Sequence, residues 1–246
     1  MEKGADLETL VTNLKEEIET VKDPLLRDVL AIQLDAVVQA YQIELGKNPI
    51  TKVKGQVAFE NDYGTRDNPK QDRKADNTEA YKFFVIGDID NFGQFNKQYG
   101  QEIGDLVLKA VANVIETSLH RKGDSYHLHG EEFLQTYEGI TNYKDAINLA
   151  QRVQEKVKDT KLILHKDGSS EIIYPQQEYI PLEGDQELHT SITFGLSRHE
   201  KGEKNIYATV NKADEYMQMG KKEVKGQTYC FDLAYFQEQQ LKNKSN

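Results

Sequence analysis

The sequence predicts a mixed α/β fold in which a central sheet carries helices on its faces. Three observations lead there. Residues 82–88 (KFFVIGD) are an apolar run of strand length with no polar face, as a strand covered on both sides requires. Residues 125–137 (SYHLHGEEFLQTY) read as two strands joined by a tight turn at Gly130. Helical segments separate the strands: 105–119 is apolar almost all round and therefore buried, and 143–158 is amphipathic through Ala146, Ile147, Ala150, Val153 and Val157. One domain with a mixed sheet is the economical arrangement of these pieces.

The elements follow in order. Leu7, Val11, Leu14, Ile18 and Val21 recur at helical spacing and mark a first helix. Asp23-Pro24 restarts a second, with Asp as N-cap and Pro at the first position. Leu26, Leu30, Leu34, Val37 and Tyr41 form its apolar set, and Gly46 stops it. So short a pair is not stable alone. It is expected either to pack on the rest of the chain or to pair with a second copy, and the sequence leaves both open. Residues 61–79 hold almost nothing apolar and read as a solvated insertion. A short helix is expected over 91–99, strands at 161–165 and 190–197, a helix through Ile206, Val210, Ala213 and Met217, and a last strand at 227–232. Lys166 to His189 is polar, with a turn at Asp167-Gly168 and an extra strand at 171–174. The expected organisation is a helical segment 1–47, a domain 48–234 carrying the charged insertion, and a tail 235–246.

Composition excludes several classes of function. Acids outnumber Lys plus Arg by 41 to 31, a net charge of -10, which opposes nucleic-acid binding through phosphates. No apolar run is long enough to cross a bilayer, and the charged start has no signal-peptide pattern. The single cysteine, Cys230, rules out an internal disulfide. The expectation is a cytoplasmic protein with no membrane or nucleic-acid partner.

The strand 82–88 runs into Asp88-Ile89-Asp90 at its carboxyl end, where ligands bind in open α/β sheets. Glu131-Glu132 occupies the turn of the hairpin. If that hairpin lies beside the first strand, its acids gather near Asp88 as hard oxygen ligands of the kind Mg²⁺ takes with substrate phosphates. The same acids would serve equally well as solvated turn residues.

Four blocks in order change that balance. IGDIDNFGQFNKQYGQEIGD and HGEEF resemble the GGDEF family of diguanylate cyclases, whose first block runs D-x-D-x-F, then Asn, then Gly-Asp before a helix. Those positions are Asp88, Asp90, Phe92, Asn96, Gly104 and Asp105. NPITKVKGQVAF (48–59) and NKADEYMQMGKKEVKGQ (211–227) resemble the family's opening and closing segments.

The resemblance implies a palm-like fold whose sheet is mainly antiparallel. It also implies a homodimer that condenses two GTP into cyclic di-GMP with release of pyrophosphate. Asp88 and Glu131, with the Ile89 carbonyl, would hold Mg²⁺ or Mn²⁺, and Glu132 would be a further ligand or the proton acceptor. Asn96 and Asp105 would hold guanine. Gly130 and His129 would lie beside the nucleotide, and Lys221 and Lys225, four apart and expected on one helix face, would contact phosphates. Guanine suits a carboxylate at Asp105, because its N1–H and 2-amino group both donate, whereas adenine N1 only accepts. A mispaired buried group costs ~1–3 kcal/mol, which is ~5- to 150-fold in selectivity. The N-terminal helices could also receive a protein partner.

The chain departs from the family pattern at several points. His129 replaces the signature's first glycine and puts a side chain into, or beside, the nucleotide space. His127 and His129 lie two apart on one strand. Gly93 stands where the family has a phosphate-contacting Lys. The inhibitory R-x-x-D motif falls at His120 to Gly123 without its charged residues, so no inhibitory site is expected. Two alternatives therefore stand beside the cyclase: a related palm-type enzyme making another cyclic nucleotide, and a degenerate domain that binds GTP or a partner without chemistry.

Overall fold

The computed structural model describes residues 2–64, 81–120, 122–200, 203 and 205–236. The chain divides into two compact units, Met1–Lys47 and Asn48–Asn246. The first is a pair of helices, α1 (Glu2–Glu19) and α2 (Pro24–Leu45). Asp23 caps α2 as expected, its Oδ1 accepting from the Leu26 N–H at 3.0 Å. Lys15 reaches Asp35 across the pair at 3.6 Å. Val11, Ile18, Leu30, Leu34 and Val38 are half-buried, whereas Leu14, Leu26, Val37 and Tyr41, expected in the apolar sets, are exposed.

The second unit is built on a six-stranded sheet of order β1-β3-β4-β2-β8-β9. Its strands are β1 (Lys54–Gly55), β2 (Tyr81–Ile89), β3 (Ser125–His129), β4 (Glu132–Ile140), β8 (Ile192–His199) and β9 (Thr228–Tyr229). β2 runs antiparallel to both β4 and β8, while β1–β3 and β8–β9 are parallel. Helices α3 (Gln56–Tyr63), α4 (Phe92–Tyr99), α5 (Gln101–Leu119), α6 (Tyr143–Asp159) and α7 (Ile206–Glu223) complete the unit.

The apolar run of β2 has a direct physical reason. Phe83 and Val85 join Val111 and Ile115 of α5 and Ala150 and Val153 of α6 in one core. Phe84 and Ile86 join Phe59 and Tyr63 of α3 and Ala213 and Met217 of α7 in another, so both faces of the strand are covered. Each buried Val, Ile, Phe or Met among them contributes ~1.5–3 kcal/mol. α7 lies close on the sheet because Gly195 of β8 has no side chain: a Cβ there would sit 1.9 Å from the Ala213 carbonyl oxygen.

The single-sheet expectation needs correction. Residues 161–189 form a separate three-stranded antiparallel sheet, β6-β5-β7, from β5 (Lys161–Leu164), β6 (Ser170–Ile173) and β7 (Gln186–His189). The polar stretch thus holds two strands, of which β7 was not anticipated. The charged segment also begins later than expected, because α3 continues to Tyr63; most of 61–79 lies outside the described residues. The last strand is two residues rather than six. Of the expected tail, residues 237–246 lie outside the described residues, while Tyr235 packs on Tyr143 with ring centroids 5.8 Å apart.

Candidate active site at the end of the central strand

Side chains alternate along β2, so Asp88 shares the face of Phe84 and Ile86, towards α7. In register it stands opposite Glu132 on β4 and Thr193 on β8. The β3–β4 turn closes at Gly130, whose φ of 54° is a left-handed conformation that glycine adopts at no steric cost. Glu131 follows, and its carbonyl accepts from the Ile89 N–H at 3.3 Å. The hairpin tip therefore lies against the end of the central strand.

Buried His127 holds that tip. Its Nε2 is 2.8 Å from the Gly130 carbonyl, which can only accept, so Nε2 carries the proton and Nδ1 accepts from the Thr51 hydroxyl at 3.1 Å. Burial lowers the pKa of this imidazole and keeps it neutral, and its ring stacks on Phe133 at 4.5 Å. His127 is thus a structural residue.

The acids affect one another. Burial raises the Asp88 pKa above the usual carboxylate value; the Lys221 ammonium opposes this, and the charges of Glu131 and Asp90 add to it. Burial likewise raises that of Glu132, His129 opposes, and Asp214, Asp88 and Glu131 add. Asp90 is committed to the scaffold: it accepts from Ser191 Oγ at 2.6 Å and Thr193 Oγ1 at 2.7 Å. Sequence reasoning missed these partners, which lie 101 and 103 positions away.

Both lysines reach this region, but not from one helix face. α7 ends at Glu223, so only Lys221 is helical. Its Nζ is ion-paired with Asp88 Oδ1, the two side chains being 18% and 14% exposed. Lys225 lies in the following loop and donates to Asn91 Oδ1 at 2.7 Å. Asn91 itself has a φ of 58°, which a short polar residue tolerates, and this turns the chain from β2 into α4.

Asn96 of α4 lies against the start of α5, where a Cβ on Gly104 would come within 1.9 Å of Asn96 Oδ1. That oxygen is buried and accepts no hydrogen bond among the described residues. Asp105 is the next residue after Gly104 and is half-buried.

His129 points outward. It is 73% exposed, with Nδ1 2.9 Å from Glu132 Oε2. At Gly93 nothing lies within 4 Å of a Cβ position. Beside the R-x-x-D position, Asp124 is taken by Lys54 at 2.8 Å.

Among the described residues, no group of three His, Cys, Asp or Glu side chains is arranged to hold a metal. The set implied by the resemblance is smaller, two carboxylates and a carbonyl, which suits Mg²⁺ because that ion completes its shell with water and phosphate oxygens. Asp88 satisfies the charge requirement: it is half-buried among other acids and already has an ammonium against it. The residues present fit a divalent cation.

Comparisons with known proteins give the family and the fold. Residues 49–227 match the family described as diguanylate cyclase, GGDEF domain. The chain is 29% identical over 86 residues to the diguanylate cyclase DgcS of Shewanella oneidensis, covering 35% of this chain and 28% of DgcS. It is 27% identical over 138 residues to the uncharacterized protein YhcK of Bacillus subtilis, covering 51% of this chain and 38% of YhcK. The alignments thus span well under half of these curated relatives. Diguanylate cyclase SiaD from Pseudomonas aeruginosa, solved with its activator SiaC, superposes with a TM-score of 0.63 at 20% identity, over 94% of this chain and 78% of that one. The coiled coil and GGDEF domain of DgcB from Caulobacter crescentus, solved with c-di-GMP, gives 0.61 at 15% identity, over 92% and 99%. These two likenesses establish the fold. Among the described residues no helix is long and apolar enough to cross a membrane. With the family match spanning most of its length, the chain belongs to the diguanylate cyclase GGDEF-domain family.

Proposed function

We propose that the protein is a diguanylate cyclase: two copies each present one GTP, and each 3′-hydroxyl attacks the α-phosphate of the other nucleotide. In each attack a 3′-O–P bond forms and the bond from the α-phosphorus to the bridging oxygen breaks, releasing pyrophosphate. A divalent cation, Mg²⁺ or Mn²⁺, would be held by Asp88, Glu131 and the Ile89 carbonyl, and when bound it supplies charge stabilisation for the attacking and leaving oxygens. Glu132 accepts the 3′-hydroxyl proton, and a raised carboxyl pKa makes it a better base. Asn96 and Asp105 hold the guanine edge; the buried Asn96 Oδ1, which has no donor among the described residues, is an acceptor suited to a base N–H donor. Lys221 and Lys225 meet the phosphates, while Gly130 and His129 flank the nucleotide.

The observation that carries this reading is the register of the hairpin, which sets Glu132 opposite Asp88 and Glu131 against Ile89. It is tested by incubating the protein with GTP, with ATP and with both, in Mg²⁺ or Mn²⁺, and identifying products by mass. Cyclic di-GMP from GTP alone is expected. An adenine-containing product would assign a related palm-type activity instead.

One contact favours a second reading, GTP binding without turnover: His129 engages the Glu132 carboxylate proposed as base. Measurable GTP affinity with no pyrophosphate under any condition would establish it.

A further inference from the structure

We infer that Lys221 is the resident counter-ion of the metal cradle, so that divalent cation and nucleotide are taken up together rather than independently. The inference rests on the proposed cyclase site and concerns how that site fills. The Lys221 ammonium is ion-paired with Asp88 Oδ1, an oxygen of the carboxylate assigned to the metal. Both side chains are largely withdrawn from solvent, where screening is weak. α7 packs close on the sheet beside this pair, with its Ala213 carbonyl in the space that a Cβ on Gly195 would fill.

A cation arriving alone must displace an ammonium that then has no partner, and leaving a buried charge unpaired is costly. A triphosphate arriving alone brings its negative charge up to Asp88, Glu131 and Glu132. Arriving together, the two exchange partners: the ammonium transfers to a phosphate oxygen as the carboxylate passes to the metal. Lys225 provides the contrast, since it bonds to the neutral Asn91 side chain and holds no acid of the cradle.

The consequence is a coupling between metal and nucleotide that depends on one side chain, on a scale of ~5- to 150-fold for linked ligands. The test measures Mn²⁺ affinity of the full chain without nucleotide by electron paramagnetic resonance. Alongside it, calorimetry measures the affinity for a non-hydrolysable α,β-methylene GTP at saturating Mn²⁺. In Lys221→Met, Mn²⁺ alone is expected to bind about tenfold tighter and the GTP analogue more weakly, two effects of opposite sign. Lys221→Arg keeps the charge and should restore wild-type metal affinity. Lys225→Met is the control for the general field of a nearby cation and should move Mn²⁺ affinity much less. Unchanged or weaker Mn²⁺ binding in Lys221→Met, or equal tightening in both Met variants, would overturn the inference while leaving the cyclase reading intact. No nucleotide binding by the wild type at saturating Mn²⁺ would remove both.

Discussion

Asp88 and Glu132 face each other across β2 and β4, partners in one antiparallel register although 44 positions apart in sequence. The metal and proton-acceptor roles proposed for the site depend on that pairing, since it also brings Glu131 to Ile89. Asp88→Asn and Glu131→Gln should each lower cyclic di-GMP formation by at least ~10³-fold, because a lost metal ligand removes several kcal/mol of charge stabilisation; Asp88→Asn should also lose stability, since Lys221 is left without its carboxylate. Product quantified by mass spectrometry checks this. Near-wild-type turnover in either variant would end the metal assignment.

Asp105→Asn should narrow the preference for GTP over ATP by ~5- to 150-fold, since an amide can present a donor to adenine where a carboxylate cannot. Competition binding with the two nucleotides measures the ratio. An unchanged ratio takes Asp105 out of base recognition.

Gly93→Lys should strengthen GTP binding. The position has open space around it, so the new side chain meets no steric obstacle, and it restores the cation found there in the family. One added charge-assisted contact is worth ~1 kcal/mol, about fivefold in KM. Steady-state kinetics decides, and a KM that stays put would place this position away from the phosphates.

Gly195→Ala should destabilise the protein. Its Cβ meets backbone, the Ala213 carbonyl oxygen at 1.9 Å, which cannot rotate away. Overpacking of this kind costs ~1–3 kcal/mol, and the melting temperature should fall by several degrees. Calorimetry tests it directly.

The pH dependence of apoprotein stability has a definite sign. Burial raises the Glu132 pKa from 4.5, so the stability contributed by its protonated form is full below that value and is lost as pH rises through the raised one. Glu132→Gln should therefore gain melting temperature relative to wild type between pH 4 and pH 7. A difference that is flat with pH would mean that burial does not govern this carboxyl.

What could be read in the sequence was local. The 82–88 strand, the hairpin at Gly130 and the helices other than α3 show in the sequence because burial imposes a period on apolar residues, and Asp23-Pro24 because capping chemistry is confined to one turn. The acids were visible as pairs, but their division of labour was not: Asp90 belongs to Ser191 and Thr193, partners that only the β2–β8 register supplies. β7 was hidden because its pairing with β5 spans a long polar loop and buries only Leu188. The four-residue spacing predicts a helical Lys225, but α7 ends at Glu223 and Lys225 falls in the loop.

The hydrogen bonds from Thr51 to His127 and from His127 to Gly130 have a mechanical consequence. Asn48, whose Oδ1 accepts from the backbone of Ile50 and Thr51, opens the segment that leads the chain into this domain. From Asn48, three hydrogen bonds and one peptide unit lead to Glu131. The imidazole bridges Thr51 and Gly130, so the place where the polypeptide enters this domain and the place where the acids converge are tethered to each other.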